Sequence, residues 1–371
     1  MEIHCLKDEL FKGVQLVQNA ISPRSTLPVL ANILFETNGG SLRLSSTDLE
    51  VGLRCEVKAD IKTSGAITIP ARTLSEFLRT LEEGRELSLS VGEGQKIEIR
   101  SGRDRCVLIG LPKDDYPVLP EFSSDKAVAV PGAVLREMIR KTIFAVSNDE
   151  TRYVLNGVNL LIEKGKITLV ATDGRRLAFV QRDGADKKAQ AINAIVPTKA
   201  MTELQRVLAN DSGSEEPVLV AFTENQVTFR HKTTVILSRL IEGHFPNFEQ
   251  VIPKSHDVQL RFPSKPILAA TQRAAVGTLE KGGSIRYNLS KGKLQISASA
   301  QGRVEVEAEL ESDYAGEPLT VAFNPQYLID VFRALEGGDV LLELTTPLNP
   351  GVIRPAGDEG YKYVVMPMQL T

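Results

Sequence analysis

Ile69-Pro70-Ala71-Arg72-Thr73-Leu74 returns as Val196-Pro197-Thr198-Lys199-Ala200-Met201 and again as Phe323-Asn324-Pro325-Gln326-Tyr327-Leu328. Pro70, Pro197 and Asn324 stand 127 residues apart. Each copy closes a β-rich run and opens a stretch of helical period, so the chain reads first of all as a repeat. The apolar positions that follow keep the same spacing: Leu74, Met201, Leu328, then Phe77, Leu204, Val331, then Leu81, Leu208, Leu335. Residues three and seven apart share one helix face, which makes this the stripe turned to the core. A glycine follows each helix, at Gly84, Gly213, and Gly337 with Gly338, where a helix C-terminus favours left-handed backbone.

Outward from the helices, Leu42-Arg43-Leu44 with Thr47-Asp48 comes back as Ile167-Thr168-Leu169 with Thr172-Asp173, and as Leu294-Gln295-Ile296 with Ser297. Gly40, Gly165 and Gly292 precede these strands as hairpin turns. Amphipathic segments at 6–17, 130–143 and 267–276 open the units. A unit of roughly 125 residues therefore runs strand, helix, strands, helix, strands. Proline-bearing polar stretches at 116–124 and 245–255 read as linkers. The chain has 371 residues, and at ~150 residues per domain that allows two to three domains. The expectation is an α+β protein of three tandem domains, 1–124, 125–253 and 254–371, each with antiparallel sheets and two helices.

Composition narrows the class. With 44 Lys and Arg against 47 Asp and Glu the formal net charge is -3, so a polyanion would have to be met by a local patch. Hydrophobic content of 42% and charged content of 25% exclude collagen-like, disordered and membrane classes. Cys5, Cys55 and Cys106 are too few and too scattered for a disulfide framework or a cysteine zinc site. They read as buried hydrophobes in a reducing compartment. The N-terminus carries charges where a signal peptide needs an apolar run, and no stretch approaches the ~20 apolar residues of a membrane span; a cytoplasmic protein is expected.

On the helix from 72 to 81, at ~100° per residue, Arg72 and Arg79 fall within about 20° of each other, opposite the apolar stripe. The two positions recur as Lys199 and Arg206, then as Gln326 and Arg333, so five of six are basic. Turned to a common side, they would give a net-acidic chain a positive lining that attracts phosphates without reading bases. Glu76, Glu203 and Asp330 recur one turn away, and a solvated face laced with i,i+3 and i,i+4 pairs fits the same pattern. The absence of Trp and the 5% aromatic content disfavour a single-strand stacking groove, leaving the duplex backbone as the better nucleic-acid target.

Two strands carry opposite charge. Arg103 and Arg105 share a face of one, while Glu305, Glu307 and Glu309 alternate with Val304, Val306, Ala308 and Leu310 on the other. The counterparts in the middle unit, near 178–180 and 232–234, are mostly neutral. Complementary edges confined to the outer units suit head-to-tail pairing of two chains, which can close a ring. Charges that merely shield bare edges would look the same.

No catalytic constellation is present. His4, His231, His244 and His256 form no metalloprotease pattern, and no phosphate-binding glycine loop occurs. Gly92 and Gly94 belong to a hairpin turn, and Asp114 with Asp115 before Tyr116-Pro117 reads as a loop cap rather than a metal pair. Asp173 is a conceivable catalytic carboxylate, but its repeat partner Asp48 points to a structural turn. The sequence requires no metal and no cofactor, and a nuclease or hydrolase lacks its side chains.

Four stretches add identity to this architecture: Arg24-Ser25-Thr26-Leu27-Pro28-Val29-Leu30, Arg152-Tyr153-Val154-Leu155-Asn156-Gly157, Val170-Ala171-Thr172-Asp173-Gly174-Arg175-Arg176-Leu177, and Tyr363-Val364-Val365-Met366-Pro367-Met368. In this order, and over the whole length, the chain resembles the bacterial sliding clamp family, the β subunit of DNA polymerase III. The resemblance implies a homodimeric ring of six domains, helices lining the hole and sheets outside, that encircles duplex DNA irrespective of sequence and tethers the replicative polymerase without catalysis. It implies that Arg24, Arg72, Arg79, Arg152, Tyr153, Lys199, Arg206, Tyr327 and Arg333 lie near DNA. It implies dimer contacts at Arg103, Arg105, Leu108, Val276, Glu305, Glu307 and Glu309.

The resemblance further implies an apolar groove between the second and third domains. There the polymerase III α subunit, the clamp loader, other polymerases and repair proteins would insert a short peptide with Leu and Phe anchors. On the turn and strand side the matching positions are Leu155, Thr172, Gly174, Arg175, Arg176 and Leu177; on the linker and terminal side they are Pro246, Val251, Leu348, Pro350, Val364, Val365, Met366, Pro367 and Met368. Read from the residues alone, Val-Val-Met-Pro-Met suits an adaptable groove and equally a last strand packed on the core. A peptide-binding scaffold that never encircles DNA is the alternative to the clamp.

Overall fold

Six times along the chain one order of elements recurs, a strand, a helix and three more strands, with first strands beginning at Glu2, Ala66, Val128, Ile192, Val258 and Leu319. The repeat legible in the sequence is thus itself a doubled half-unit. In the computed structural model of the protein the described residues are 1–22, 27–125, 127–186, 190–211, 216–278, 283–300, 304–335 and 337–369.

The first half-unit holds β1 (Glu2–Leu6), α1 (Lys7–Gln18), β2 (Asn32–Asn38), β3 (Ser41–Thr47) and β4 (Val51–Lys58), followed by an extra short strand β5 (Asp60–Thr63). The second holds β6 (Ala66–Pro70), α2 (Ala71–Thr80), β7 (Glu86–Val91), β8 (Lys96–Ser101) and β9 (Asp104–Ile109). The third has β10 (Val128–Pro131), α3 (Gly132–Thr142), β11 (Gly157–Glu163), β12 (Lys166–Thr172) and β13 (Arg176–Asp183). The fourth has β14 (Ile192–Pro197), α4 (Thr198–Asn210), β15 (Pro217–Phe222), β16 (Gln226–His231) and β17 (Thr234–Arg239). The fifth has β18 (Val258–Pro263), α5 (Ser264–Ala275), β19 (Ile285–Ser290), β20 (Lys293–Ala300) and β21 (Val304–Glu311). The sixth has β22 (Leu319–Phe323), α6 (Pro325–Ala334), β23 (Asp339–Leu344), β24 (Gly351–Pro355) and β25 (Tyr361–Val365).

The chain divides into two compact units, Met1–Ala133 with Lys199–Leu240, and Val134–Thr198 with Ile241–Thr371. The first contains a five-stranded antiparallel sheet, β5-β1-β7-β8-β9, and an eight-stranded one, β10-β15-β16-β17-β4-β3-β2-β6. The second contains β21-β20-β19-β22 and the eight-stranded β14-β11-β12-β13-β25-β24-β23-β18. Each large sheet is two half-units zipped along one seam. In the first unit β17 pairs with β4, from Val235 opposite Arg54 to Ser238 opposite Val51. In the second β25 pairs with β13, from Val365 opposite Arg176 to Tyr361 opposite Val180. The middle stretch 125–253 therefore gives strands to both units. By their place in the repeat, β9 is the equivalent of β17 and β25, and β21 of β4 and β13, yet both β9 and β21 end their sheets unpaired.

Period two builds the sheets: Leu42 and Leu44, Ile167 and Leu169, Leu294 and Ile296 are all fully buried. On α2 the buried face is Ala71, Leu74 and Leu78. Leu78 takes the place expected for Phe77, which stays half-exposed, and Leu81 lies just past the helix as its cap. Burying each such leucine contributes about 2 kcal/mol. Gly84, Gly337 and Gly338 after the helices do adopt positive φ; Gly213 is outside the described residues.

The bare edges of β6, β14 and β22 are closed alike. Leu111 N–H donates to Thr68 O at 3.3 Å, Ile241 N–H to Ile195 O at 2.9 Å and Met368 N–H to Ala322 O at 2.8 Å. The segment ending at Met368 is thus the third copy of what is a linker in the other two repeats. Gly157 allows another close approach, since a Cβ there would stand 2.6 Å from Val196 O. No helix among the described residues is long and apolar enough to cross a membrane.

In the second unit α3 is tied to its sheet by a four-membered ionic cluster. Lys141 Nζ lies 2.6 Å from Glu137 and 3.3 Å from Asp358, and Arg182 Nη2 lies 3.0 Å from Glu137 and 2.6 Å from Asp358. Burial works against both carboxylates, but the Lys141 and Arg182 charges outweigh it and hold them below their ordinary values. Groups depressed in the folded state stabilise it above the unfolded pKa, about 4, and lose that contribution as pH falls through the folded values. Resistance of the wild type to urea is expected to fall steadily below about pH 4. The Glu137→Gln/Asp358→Asn variant, less stable at pH 7, should show a shallower decline; parallel curves would show that the cluster does not contribute.

Candidate functional site

The turn between β12 and β13 is held by its own side chains. Thr172 Oγ1 accepts the Gly174 N–H at 3.0 Å while its hydroxyl donates to Arg176 O at 2.6 Å. Asp173 Oδ1 accepts the N–H groups of Arg175 and Arg176 at 2.9 and 3.0 Å. Thr47 and Asp48 repeat this pattern with Leu49, Glu50 and Val51. Gly174 has φ +84°, and its counterpart Leu49 has φ +78°. The Asp173 carboxylate is thereby a turn-building group, committed like Asp48 to backbone N–H groups.

This turn forms one wall of a cleft of about 130 Å³ in the second unit. Thr172, Gly174, Arg175 and Arg176 supply that wall, and Leu155 joins it from the end of a 3-10 turn, Glu150–Leu155. Leu177 and Val364, directly opposite each other across the β13–β25 seam, make the floor. They are buried together with Val170 and Val352. Pro246, Asn247, Phe248 and Val251 fold back from the linker as the opposite wall, and Met366 closes the rim.

Ten of the fifteen positions expected for a groove line this cleft. Val365 points to the other face of β25 and is 0% exposed, since neighbours in a strand alternate. Pro367 and Met368 run on toward β22. Leu348 is 77% exposed and lines no part of the cleft, and Pro350 borders a separate pocket with Lys254 and Lys362. Asn247 and Phe248 were not expected; Phe248 packs on Phe179 with ring centroids 5.8 Å apart.

Arg176 lines the cleft with its stem, but its charge is spent within the fold. Its side chain is 10% exposed, with Nε 3.0 Å from Asp173, Nη1 2.7 Å from Asp330 and Nη2 donating to Phe144 O at 2.5 Å. The guanidinium lies 4.5 Å from the centroid of the Tyr327 ring. Tyr327 is accordingly half-buried against Arg176, and its carbonyl accepts the Tyr363 hydroxyl at 2.9 Å. The resemblance implied that Tyr327 lies near DNA; in the fold its ring is packed by Arg176, 151 residues earlier in the chain.

The repeated basic positions separate into free and engaged groups. Arg72 is 89% exposed and pairs with Glu76 at 3.0 Å. Arg79 and Arg333 are exposed and make no ion pair among the described residues. Arg206 is exposed and pairs with Glu203, whose buried carboxyl is pushed up in pKa by desolvation. Gln326 donates to Asp330 at 2.6 Å. Lys199, in contrast, is held by the Asp48 carboxylate and donates to Ala20 O at 2.9 Å. Arg152 pairs with Asp149 at 3.1 Å and donates to Asp173 O at 2.9 Å, while Tyr153 is exposed. Arg24 is outside the described residues.

β9 and β21, each left at the end of its sheet, keep their opposite signs. Arg105 is exposed on β9 and pairs with Glu98 at 2.8 Å; Arg103 sits in the turn before the strand rather than on it. Leu108 points inward, while Val107 and Ile109 point outward with Arg105, Ile109 being 63% exposed. On β21 Glu305, Glu307 and Glu309 are exposed, Glu309 pairing with Lys293 at 2.9 Å. Val276, at the end of α5, is exposed.

Comparison with known proteins gives one answer along the whole chain. Family models of the DNA polymerase III beta subunit match its residues 1–120 (N-terminal domain), 129–247 (central domain) and 249–369 (C-terminal domain). The beta sliding clamp of Synechococcus elongatus is 32% identical over 375 residues, covering 100% of both chains. That of Pseudomonas putida is 34% identical over 369 residues and 98% of both. Among solved structures, the DNA polymerase III subunit beta of Pseudomonas aeruginosa superimposes with a TM-score of 0.93 at 33% identity, and the sliding clamp of Bacillus subtilis with 0.93 at 29%, each over 100% of both chains.

Adjacent arginines in the turn are expected to behave differently on truncation. Arg176→Ala leaves Asp173 and Asp330 without their counter-ion and should cost about 3 kcal/mol of unfolding free energy. Arg175→Ala, at an exposed position, should change it by less than about 0.5 kcal/mol. Chemical denaturation monitored by circular dichroism reads both, and equal effects would refute the assignment of Arg176 to the fold.

Proposed function

The chain belongs to the DNA polymerase III beta subunit family, and from that premise we propose how its own residues encircle duplex DNA and hold a polymerase to it. It is a sliding clamp, a non-catalytic accessory subunit that confers processivity. The observation that carries the reading is the pair of unmatched edges. The chain uses one seam twice, β17 on β4 and β25 on β13, and leaves over the first partner of a third such seam, β9, and its second, β21. Laying β9 of one copy on β21 of another completes the series, and the reverse contact closes a head-to-tail ring of two chains. Arg105, with Arg103 beside it, meets the row Glu305, Glu307 and Glu309, which favours this register of partners over others. Val107, Ile109 and Val276 supply the apolar contact.

In such a ring the helices turn Arg72, Arg79, Arg206 and Arg333 toward the enclosed duplex. Phosphate-directed contacts are blind to sequence, and few cations per chain leave the attraction weak enough for sliding. Topological linkage then does what affinity does elsewhere. Lys199 and Arg152 act here mainly on the fold, through Asp48 and through Asp149 with the Asp173 carbonyl, and Tyr327 serves as the platform of Arg176.

The cleft is the docking site for partner peptides. Leu177 and Val364 form a floor for aliphatic and aromatic anchors, and Met366, Val251 and Pro246 form an adaptable rim. A polymerase held there meets the primer end at a high effective concentration, which is processivity. We place this activity in the cytoplasm, where the chromosome is copied.

Two outcomes are expected. Replacing Arg72, Arg79, Arg206 and Arg333 together by Gln should reduce the slope of log affinity against log salt by about one for each phosphate that is no longer neutralised, equally for unrelated DNA sequences; an unchanged slope contradicts the assignment. Met366→Lys places a charge on an apolar rim and should weaken a fluorescent Leu- and Phe-anchored peptide at least tenfold in anisotropy titration, with Tm unchanged. Unaltered binding would move the peptide site elsewhere.

A further inference from the structure

Beyond Phe248 the cleft adjoins a second cavity of about 690 Å³ on the same face of the β11–β12–β13–β25 sheet. Its floor mixes apolar and polar groups: Leu161 and Phe179, then Thr168, whose hydroxyl accepts from Gln181 Nε2 at 3.0 Å. Phe248, from the linker, belongs to both cavities, and its ring on Phe179 is the ridge between them. Leu161, Phe179, Phe248 and Ile252 pack on the same cluster that underlies the cleft floor. The two cavities are therefore neighbouring depressions over one core.

Their chemistry differs. The second cavity is rimmed by Lys164, Lys166, Lys254 and Lys362 against two acids, Glu163 and Glu249. Lys164 is matched by Glu163 at 3.0 Å, and Lys166 lies 3.4 Å from Gln181 Oε1. Lys254 and Lys362 have no hydrogen-bond or ion-pair partner among the described residues. Lys362 is half-buried on β25, so its stem is fixed along the sheet and its ammonium is presented at one place. Both lysines also border the smaller cavity of about 160 Å³ that contains Pro350. Two uncommitted positive charges thus stand where a chain leaving the cleft over Phe248 would arrive.

We infer that this second cavity is an anion-accepting extension of the partner groove, which takes one or two Asp or Glu side chains flanking the apolar anchors of the docked peptide, with Lys254 and Lys362 as their counter-ions. The inference rests on the groove reading given above. A protein segment fits better than a nucleic acid because the cavity is concave, floored partly by apolar side chains and continuous with a cleft of apolar character. Acidic flanks would rank partners that share the same anchors, since charge adds discrimination at the rim of an apolar site.

The test uses the full chain and three synthetic peptides that share Leu and Phe anchors and differ in a four-residue flank on either side: acidic, serine or lysine. At low salt the acidic flank should bind three- to tenfold more tightly than the serine flank and the lysine flank more weakly, with the spread shrinking by 0.5 M salt. Lys254→Gln/Lys362→Gln should erase the acidic advantage while leaving the serine-flanked peptide unchanged. Equal binding of the three flanks to the wild type overturns the inference, as does an acidic advantage that survives in the double variant. A short DNA duplex that loses affinity in the double variant, with the peptide flanks indistinguishable, would assign the lysines to nucleic acid and also overturn it. Failure of the serine-flanked peptide to bind at all counts against the groove reading itself, which keeps the two failures apart.

Discussion

Backbone hydrogen bonding along a strand edge governs this molecule. An edge strand exposes a row of N–H and C=O groups that a neighbour must satisfy, cover or be kept away from. Here β17 satisfies β4 and β25 satisfies β13, each seam antiparallel and continuous with the sheets on either side. Of the strands that hold this place in their half-units, β9 and β21 are the two left at the end of a sheet, and they carry Arg105 and the row Glu305, Glu307 and Glu309. The mostly neutral counterparts at 178–180 and in β17 lie inside a sheet. Charge on a bare edge discourages unspecific pairing, and in the proposed ring the opposite signs of β9 and β21 would select each other.

The cleft is a by-product of the same constraint. Its floor, Leu177 opposite Val364, is a cross-strand pair of the β13–β25 seam, and its walls are the turn that opens β13 and the linker that follows β17. In the first unit the equivalent cross-strand pair is Gly52 opposite Leu237. There the linker residue Leu119 lies 3.2 Å from where a Cβ on Gly52 would stand, so the chain packs on its own seam. One repeated architecture thus gives a filled surface in one unit and an open cleft in the other, through a Gly in place of a Leu.

How much of this was legible in the sequence follows the range of the interactions involved. Helix faces and strand alternation are local, so Arg72, Arg79, Leu74 and the Leu42, Ile167 and Leu294 strands were readable from period alone. The 127-residue spacing hid the half-unit, although the apolar-proline junction Ile69-Pro70 also stands at Val130-Pro131, Val196-Pro197 and Phe262-Pro263, a signal for it. The seams, and with them the division of 125–253 between two units, depend on strands far apart in the chain. For the same reason period could place Lys199 on a helix surface but could not foresee Asp48 beneath it, and the resemblance that named Tyr327 gave no sign of Arg176 over its ring. Most of the cleft came from resemblance to a family rather than from period. Phe248 escaped both, though the match of Tyr116-Pro117 with Phe245-Pro246 marks the linker that carries it.

The central claim is that two chains joined through β9 and β21 form a closed ring around DNA. The direct measurement is retention of the protein on nicked circular DNA after loading by a cognate loader, in moderate salt, before and after the circle is cut once. The account predicts persistent retention on the intact circle and rapid loss after cutting, because a topological link ends when a DNA end appears. Salt-sensitive binding that is indifferent to DNA ends would contradict it.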